Sequence, residues 1–127
     1  VVRSAGAEPL VGPAPRDPAA LARAYFESWG SADFARLRAL LAERVTFVGP
    51  LGTADGPDEC VDGLRRLRRT VNRIEVRAVT TVWDDVITWV ELETLEASRP
   101  IQVANWMRVE EGGIAAIRAT FDPGALQ

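Results

Sequence analysis

The chain has 127 residues, 47% hydrophobic and 26% charged, with a formal charge of −3 and no histidine. That length supports one hydrophobic core rather than two, and the composition is that of an ordinary globular protein. One cysteine, Cys60, and no imidazole exclude an internal disulfide, a nitrogen or sulfur metal cluster and any Ser-His-Asp or Cys-His nucleophile, and the acidic balance gives no reason to expect a nucleic-acid partner.

Residues 1–16, VVRSAGAEPLVGPAPR, are rich in Ala, Gly and Pro and hold no apolar run of signal-peptide length, so they are expected to be a flexible lead-in to a single domain at 17–127. No segment has the apolar length that spans a bilayer. The expectation is a cytoplasmic protein with no membrane association.

DPAALARAYFESWG carries helix signals: Asp17 as N-cap, Pro18 in the first turn and Gly30 as a stop. Leu21, Tyr25 and Trp29 fall on one stripe that Phe26 broadens. DFARLRALLAE predicts a second helix capped by Asp33, with Phe34, Leu37 and Leu41 on its buried side. Val45–Val48 reads as a short strand ended by Gly49 and Pro50. The loop LGTADGP leads to a third helix, with Asp58 expected as its cap and Val61, Leu64 and Leu67 as its apolar side. Arg65, Arg66, Arg68, Arg69 and Arg73 crowd around that helix. They read as a solvated face, because no aromatics interleave them as a single-strand binder would require.

After this helix the period changes to alternation. IEVRAVTTV, VITWVELETL, IQVANWMRV and IAAIRATF are four strand-like runs with short links, which make an antiparallel meander. Helices first and strands afterwards predict an α+β domain with its helices on one face of a bent antiparallel sheet. Alternation puts Val90 and Leu92 on one face of their strand, and Val103, Asn105 and Met107 on one face of the next. On the last, Ile117, Ala119 and Phe121 share a face. Asn105 is the odd member: it lines a pocket, bonds to main chain inside the core, or turns outward on a slipped register.

The order of elements, with AYFESWGSADFARLRALLAERVTFVGPLG, VDGLRRL, VELET and NWMRVEEGGIAAIRATFDP filling it, resembles the nuclear transport factor 2-like superfamily. Within it the chain looks closest to the SnoaL-like polyketide cyclases and the ketosteroid isomerases. The resemblance implies a cone-shaped α+β barrel, three helices on a curved antiparallel sheet, around a deep apolar pocket that needs no cofactor. It turns Val90, Leu92, Val103, Asn105, Met107, Ile117, Ala119 and Phe121 inward, and Trp29 and Phe47 would shape the pocket. The fold hosts unrelated activities, so residues must carry any function.

A ketosteroid isomerase uses a first-helix tyrosine, matched by Tyr25, and a protonated aspartic acid on a strand, which falls at Asn105. Both side chains can donate to a carbonyl or oxyanion. The proton-abstracting carboxylate of that family falls at Gly49, so it is missing. The arginine-aspartate set of limonene epoxide hydrolases is incomplete, with Ala119 where the second aspartate is expected, and the histidine of SnoaL has no counterpart. The resemblance therefore implies a module binding a small apolar carbonyl- or phenol-bearing molecule through Tyr25 and Asn105. The alternatives are an isomerase- or cyclase-type enzyme using the same donors, or a protein-interaction domain.

Glu91 and Glu93, two residues apart, face outward on this parity, as do Trp89 and Trp106. Two tryptophans on a sheet surface predict a covered patch, met by a homodimer packed sheet to sheet. Asp122 in FDPG reads as a turn residue. Asp55 stands near the loop expected to roof the pocket, and Cys60 reads as a small apolar helix residue.

Overall fold

The computed structural model describes residues 17–122 and Gly124; the expected lead-in at 1–16 lies outside them. Helix α1 (Pro18–Gly30) starts where Asp17 accepts a hydrogen bond from the Ala20 amide at 3.0 Å. Its stripe buries Leu21, Tyr25, Phe26 and Trp29. A turn through Ala32, at φ 58°, leads to α2 (Phe34–Ala39), capped by Asp33 through the Arg36 amide at 3.2 Å. This helix is shorter than DFARLRALLAE predicts. Leu41 pairs instead with Ile114, and the Ile114 amide donates to the Leu40 carbonyl at 3.0 Å, so sheet pairing draws the second half of that segment out of the helix.

The strand expected at Val45–Val48 is accordingly longer, β1 (Leu41–Gly49). The expected loop after it holds β2 (Gly52–Asp55), which folds back antiparallel on β1. Helix α3 (Pro57–Arg68) is capped by Gly56 at φ 87°, not by Asp58. Asp58 lies in the first turn, where its carboxylate suits the positive end of the helix and accepts from Arg38 Nε at 2.7 Å.

Strands β3 (Val71–Val82), β4 (Asp85–Thr94), β5 (Ile101–Glu110) and β6 (Gly113–Thr120) form the expected antiparallel meander. The spatial order is β2-β1-β6-β5-β4-β3, and β1 runs parallel to β6. The sheet is therefore mixed rather than antiparallel throughout, and it is open rather than closed into a barrel. Register shifts in β3 between Val71 and Arg73 and between Val76 and Ala78 supply bulges of the kind that bend a strand. The sheet curls around α1 and α3, and the core lies on that concave side.

Arg68 holds the helices together. Its Nη2 donates to the Gly30 carbonyl at 2.7 Å and its Nη1 to the Val71 carbonyl at 2.6 Å, so one guanidinium ties the end of α1 to the start of β3. Arg65 lies over the Phe34 ring, and Arg73 pairs with Glu75 and Glu93. Arg65, Arg66, Arg69 and Arg73 are exposed, as expected of a solvated face, and Arg68 is the member tied into the fold.

Candidate functional site

The strand parity read from the sequence holds. Thr88, Asn105 and Ala119 are cross-strand partners on the concave face, Val90 pairs with Val103, and Val86, Met107 and Ile117 form the next tier. A cavity of about 50 Å³ lies between this face and the helices. From the helices, Tyr25, Phe26, Trp29, Leu64 and Leu67 reach it; from the sheet, Phe47, Val90, Leu92, Val103, Asn105, Ala119 and Phe121 do. Met107 and Ile117, expected beside them, are fully buried outside this lining, in contact with the core instead. Phe26, Leu64 and Leu67 were legible as apolar helix positions; their place on the cavity depended on how α1 and α3 cross the sheet.

Asn105 is 4% exposed, and its Oδ1 meets no hydrogen-bond partner among the described residues. Thr88, directly across the β4–β5 ladder and fully buried, is in the same position at Oγ1. Each such atom costs about 1–3 kcal/mol while it stays unpaired. Of the two, Asn105 lines the apolar cavity, and its oxygen is a place that a polar atom from outside would stabilise; Thr88 lies outside that lining. Thr88 had no sequence signal beyond its parity, since threonine is common on either face of a strand.

Tyr25 is 1% exposed, and its ring meets Phe26 edge to face at 4.9 Å. Burial, and after it the nearby Cys60 thiol, push its hydroxyl well above the usual tyrosine range, so it remains a proton donor. Trp29 is fixed by its Nε1, which donates to the Leu64 carbonyl at 2.8 Å across the α1–α3 contact.

At Gly49, where the resemblance puts a catalytic carboxylate, a side chain would meet the Phe47 ring at once: a Cβ there stands 3.0 Å from Phe47 Cε1. Among the described residues, no carboxylate lines the cavity.

A larger groove of about 540 Å³ lies outside, between α3 and the β1–β2 hairpin. Phe47, Leu64 and Leu67 border both spaces. Glu59, Asp62 and Arg66 also line the groove and are exposed. Asp55 is exposed and lines neither space; its backbone amide donates to Glu59 Oε1 at 3.0 Å.

Glu91 and Glu93 lie on the convex face. Glu91 accepts from Gln102 Nε2 at 2.9 Å, and Gln102 Oε1 accepts from Trp89 Nε1 at 2.7 Å. Trp106, on the same face, has the guanidinium groups of Arg108 and Arg118 at 5.8 and 5.9 Å from the centre of its ring. Asp122 closes a turn by accepting from the Gly124 amide at 3.0 Å. Burial raises the Cys60 thiol to about 11, which leaves it inert at neutral pH. Among the described residues no group of three or more His, Cys, Asp or Glu could hold a metal ion, and no helix is long and apolar enough to cross a membrane.

A family model described as the SnoaL-like domain matches residues 22–117. Among solved structures, an NTF2-like protein of unknown function from Cytophaga hutchinsonii superimposes with a TM-score of 0.76 at 18% identity, covering 88% of this chain and 96% of that one. An LEH-like epoxide hydrolase from M. tuberculosis gives a TM-score of 0.71 at 18% identity, covering 86% and 85%. A protein with a ketosteroid isomerase-like fold from Catenulispora acidiphila, in complex with trimethylamine, gives 0.72 at 16%, covering 84% and 88%. At these identities the likeness concerns the fold. No curated protein matches the sequence significantly.

Proposed function

The chain belongs to the SnoaL-like domain family, and from that premise we propose that it binds a small hydrophobic molecule bearing a carbonyl or a phenol, with Tyr25 and Asn105 as its polar partners. The observation that carries this reading is the Asn105 amide, buried on the wall of an apolar cavity with an unpaired Oδ1. A ligand hydroxyl can donate to that oxygen, and a carbonyl can accept from the Tyr25 hydroxyl, which stays protonated.

Binding is favoured over an isomerase or cyclase activity for one reason. Both donors of an oxyanion site line the cavity, but among the described residues no carboxylate lines it with them: the Phe47 ring crowds the side-chain space at Gly49, and Glu59 and Asp62 lie in the outer groove, exposed to water. A positioned acid or base contributes roughly 10²- to 10⁴-fold in rate, and donors alone do not replace it.

The test is a titration with phenol followed by tryptophan fluorescence, in the unaltered chain and in Tyr25→Phe and Asn105→Ala. Loss of about 1 kcal/mol or more of affinity in each variant is expected. Unchanged affinity in both would remove these side chains from the site.

A second reading concerns the convex face and stands beside the first. Ile87 and Trp89 are 43% and 44% exposed there, on neighbouring outward positions of β4, with Trp106 opposite Ile87 on β5. We infer that a second copy of the chain covers this face.

A further inference from the structure

The cavity at Asn105 is too small for the molecule that the proposed function requires. At about 50 Å³ it admits a polar group of a few atoms, whereas small-molecule sites run to roughly 300–1,000 Å³. The groove beyond Phe47, Leu64 and Leu67 has about 540 Å³, within that range. The two spaces share those three residues as a common border. Phe47 and Leu67 are half-buried, so two of the three side chains that separate the spaces are not locked in the core; Leu64 is buried.

The chemistry of the two spaces is complementary. The inner one presents a buried, unpartnered amide oxygen and an un-ionised tyrosine, and so calls for one uncharged polar group. The outer one has an apolar floor and carries Glu59, Asp62 and Arg66, all exposed to water. The two carboxylates and the guanidinium are all solvated, so none of them offers a charged ligand a buried ionic partner.

We propose that cavity and groove are two parts of one site, and that its ligand is an elongated, uncharged amphiphile. Its polar end reaches Asn105 and Tyr25 while its apolar body lies along α3 past Leu67. This rests on the binding function proposed above and adds the shape of the ligand and the place of its larger part.

A series of phenols carrying longer alkyl chains tests it. In the unaltered protein, 4-hexylphenol is expected to bind far more tightly than phenol, by roughly three- to fourfold for each methylene that leaves water. Gly63→Leu then puts a side chain into the groove from α3, where a Cβ meets nothing nearer than Arg66 Nη2 at 3.9 Å. Replacing a glycine inside a helix favours that helix, so the variant keeps its fold. Thr53→Tyr fills the groove from β2, the opposite wall. Both are expected to collapse the hexylphenol-to-phenol affinity ratio by tenfold or more. A ratio unchanged in both, or a series with no chain-length gain, overturns the proposal while leaving phenol binding at Asn105 intact. If no phenol binds, the binding function fails and this inference fails with it.

Discussion

The Phe47 ring occupies space that a side chain at Gly49 would need: a Cβ there would stand 3.0 Å from Phe47 Cε1 and 3.7 Å from the Ala119 carbonyl oxygen. Gly49→Ala is therefore expected to push the ring from its seat at a cost of about 1–2 kcal/mol. Phe47→Ala should cost more by opening a void. In the double variant the two costs should add to less than their sum, because the clash disappears with the ring. Urea denaturation of the four proteins completes the cycle, and strict additivity would show that the contact carries no energy.

Asn105→Leu separates stability from binding. The substitution removes a buried amide whose oxygen has no partner among the described residues, so it should be neutral or stabilising by up to about 1 kcal/mol. Phenol binding should be lost at the same time. A melting temperature that falls by several degrees would mean that the amide has a structural partner instead.

Stability should decline in alkali in two stages. An unfolded thiol ionises near its ordinary value of 9, while folded Cys60 keeps its proton until about 11. Between those values the unfolded chain has lost a proton that the folded chain retains, so folding weakens by on the order of 2–3 kcal/mol; below pH 9 the contribution is fully present. Tyr25, raised above its usual 10 by burial, extends the loss upward from about pH 10. Urea midpoints at pH 8, 10 and 11 should show Cys60→Ala flattening the first stage and leaving the larger part of the second, which burial of Tyr25 causes.

Arg68→Ala strips hydrogen bonds from the Gly30 and Val71 carbonyls and should cost about 2–4 kcal/mol. Arg68→Lys should recover only part of this, since an ammonium lacks the planar fork that serves two carbonyls at once. Full recovery by lysine would reduce the residue's role to its charge.

Ile87→Arg puts a charge at the centre of the convex face, opposite Trp106. If two copies of the chain meet there, sedimentation should show a dimer become a monomer with an unchanged circular dichroism spectrum. A monomer before the substitution would dispose of the sheet-to-sheet pairing.

The meander and the inward sets on β4 and β5 were legible because period-2 alternation survives in those two strands, where one face packs and the other is more open to water; in β6 the buried Ile114 and Ile117 stand three apart. The helix caps Asp17 and Asp33 were legible from local chemistry alone. Leu41 was not: its helical spacing from Phe34 and Leu37 is satisfied locally, and only β6, more than seventy residues later, draws it into the sheet. The same holds for Thr53 and Ala54, whose strand exists because β1 offers an edge. Of the candidate site, Tyr25 and Asn105 followed from stripe and parity. The cavity's small volume, and the wall it shares with the groove, depend on side-chain packing that no spacing rule encodes.

The parallel pairing of β1 with β6 also sets an order of events in time. Residues 41–49 have β2 on one side, but their other neighbour is the strand at 113–120, the last of the sheet to leave the ribosome. Until it arrives, the nascent chain holds an unpaired strand edge beside Val45 and Phe47, the kind of surface that chaperones shield and aggregates exploit. Closing so distant a contact is slow, so the folding rate should depend on β6 more than on the helices that are made first.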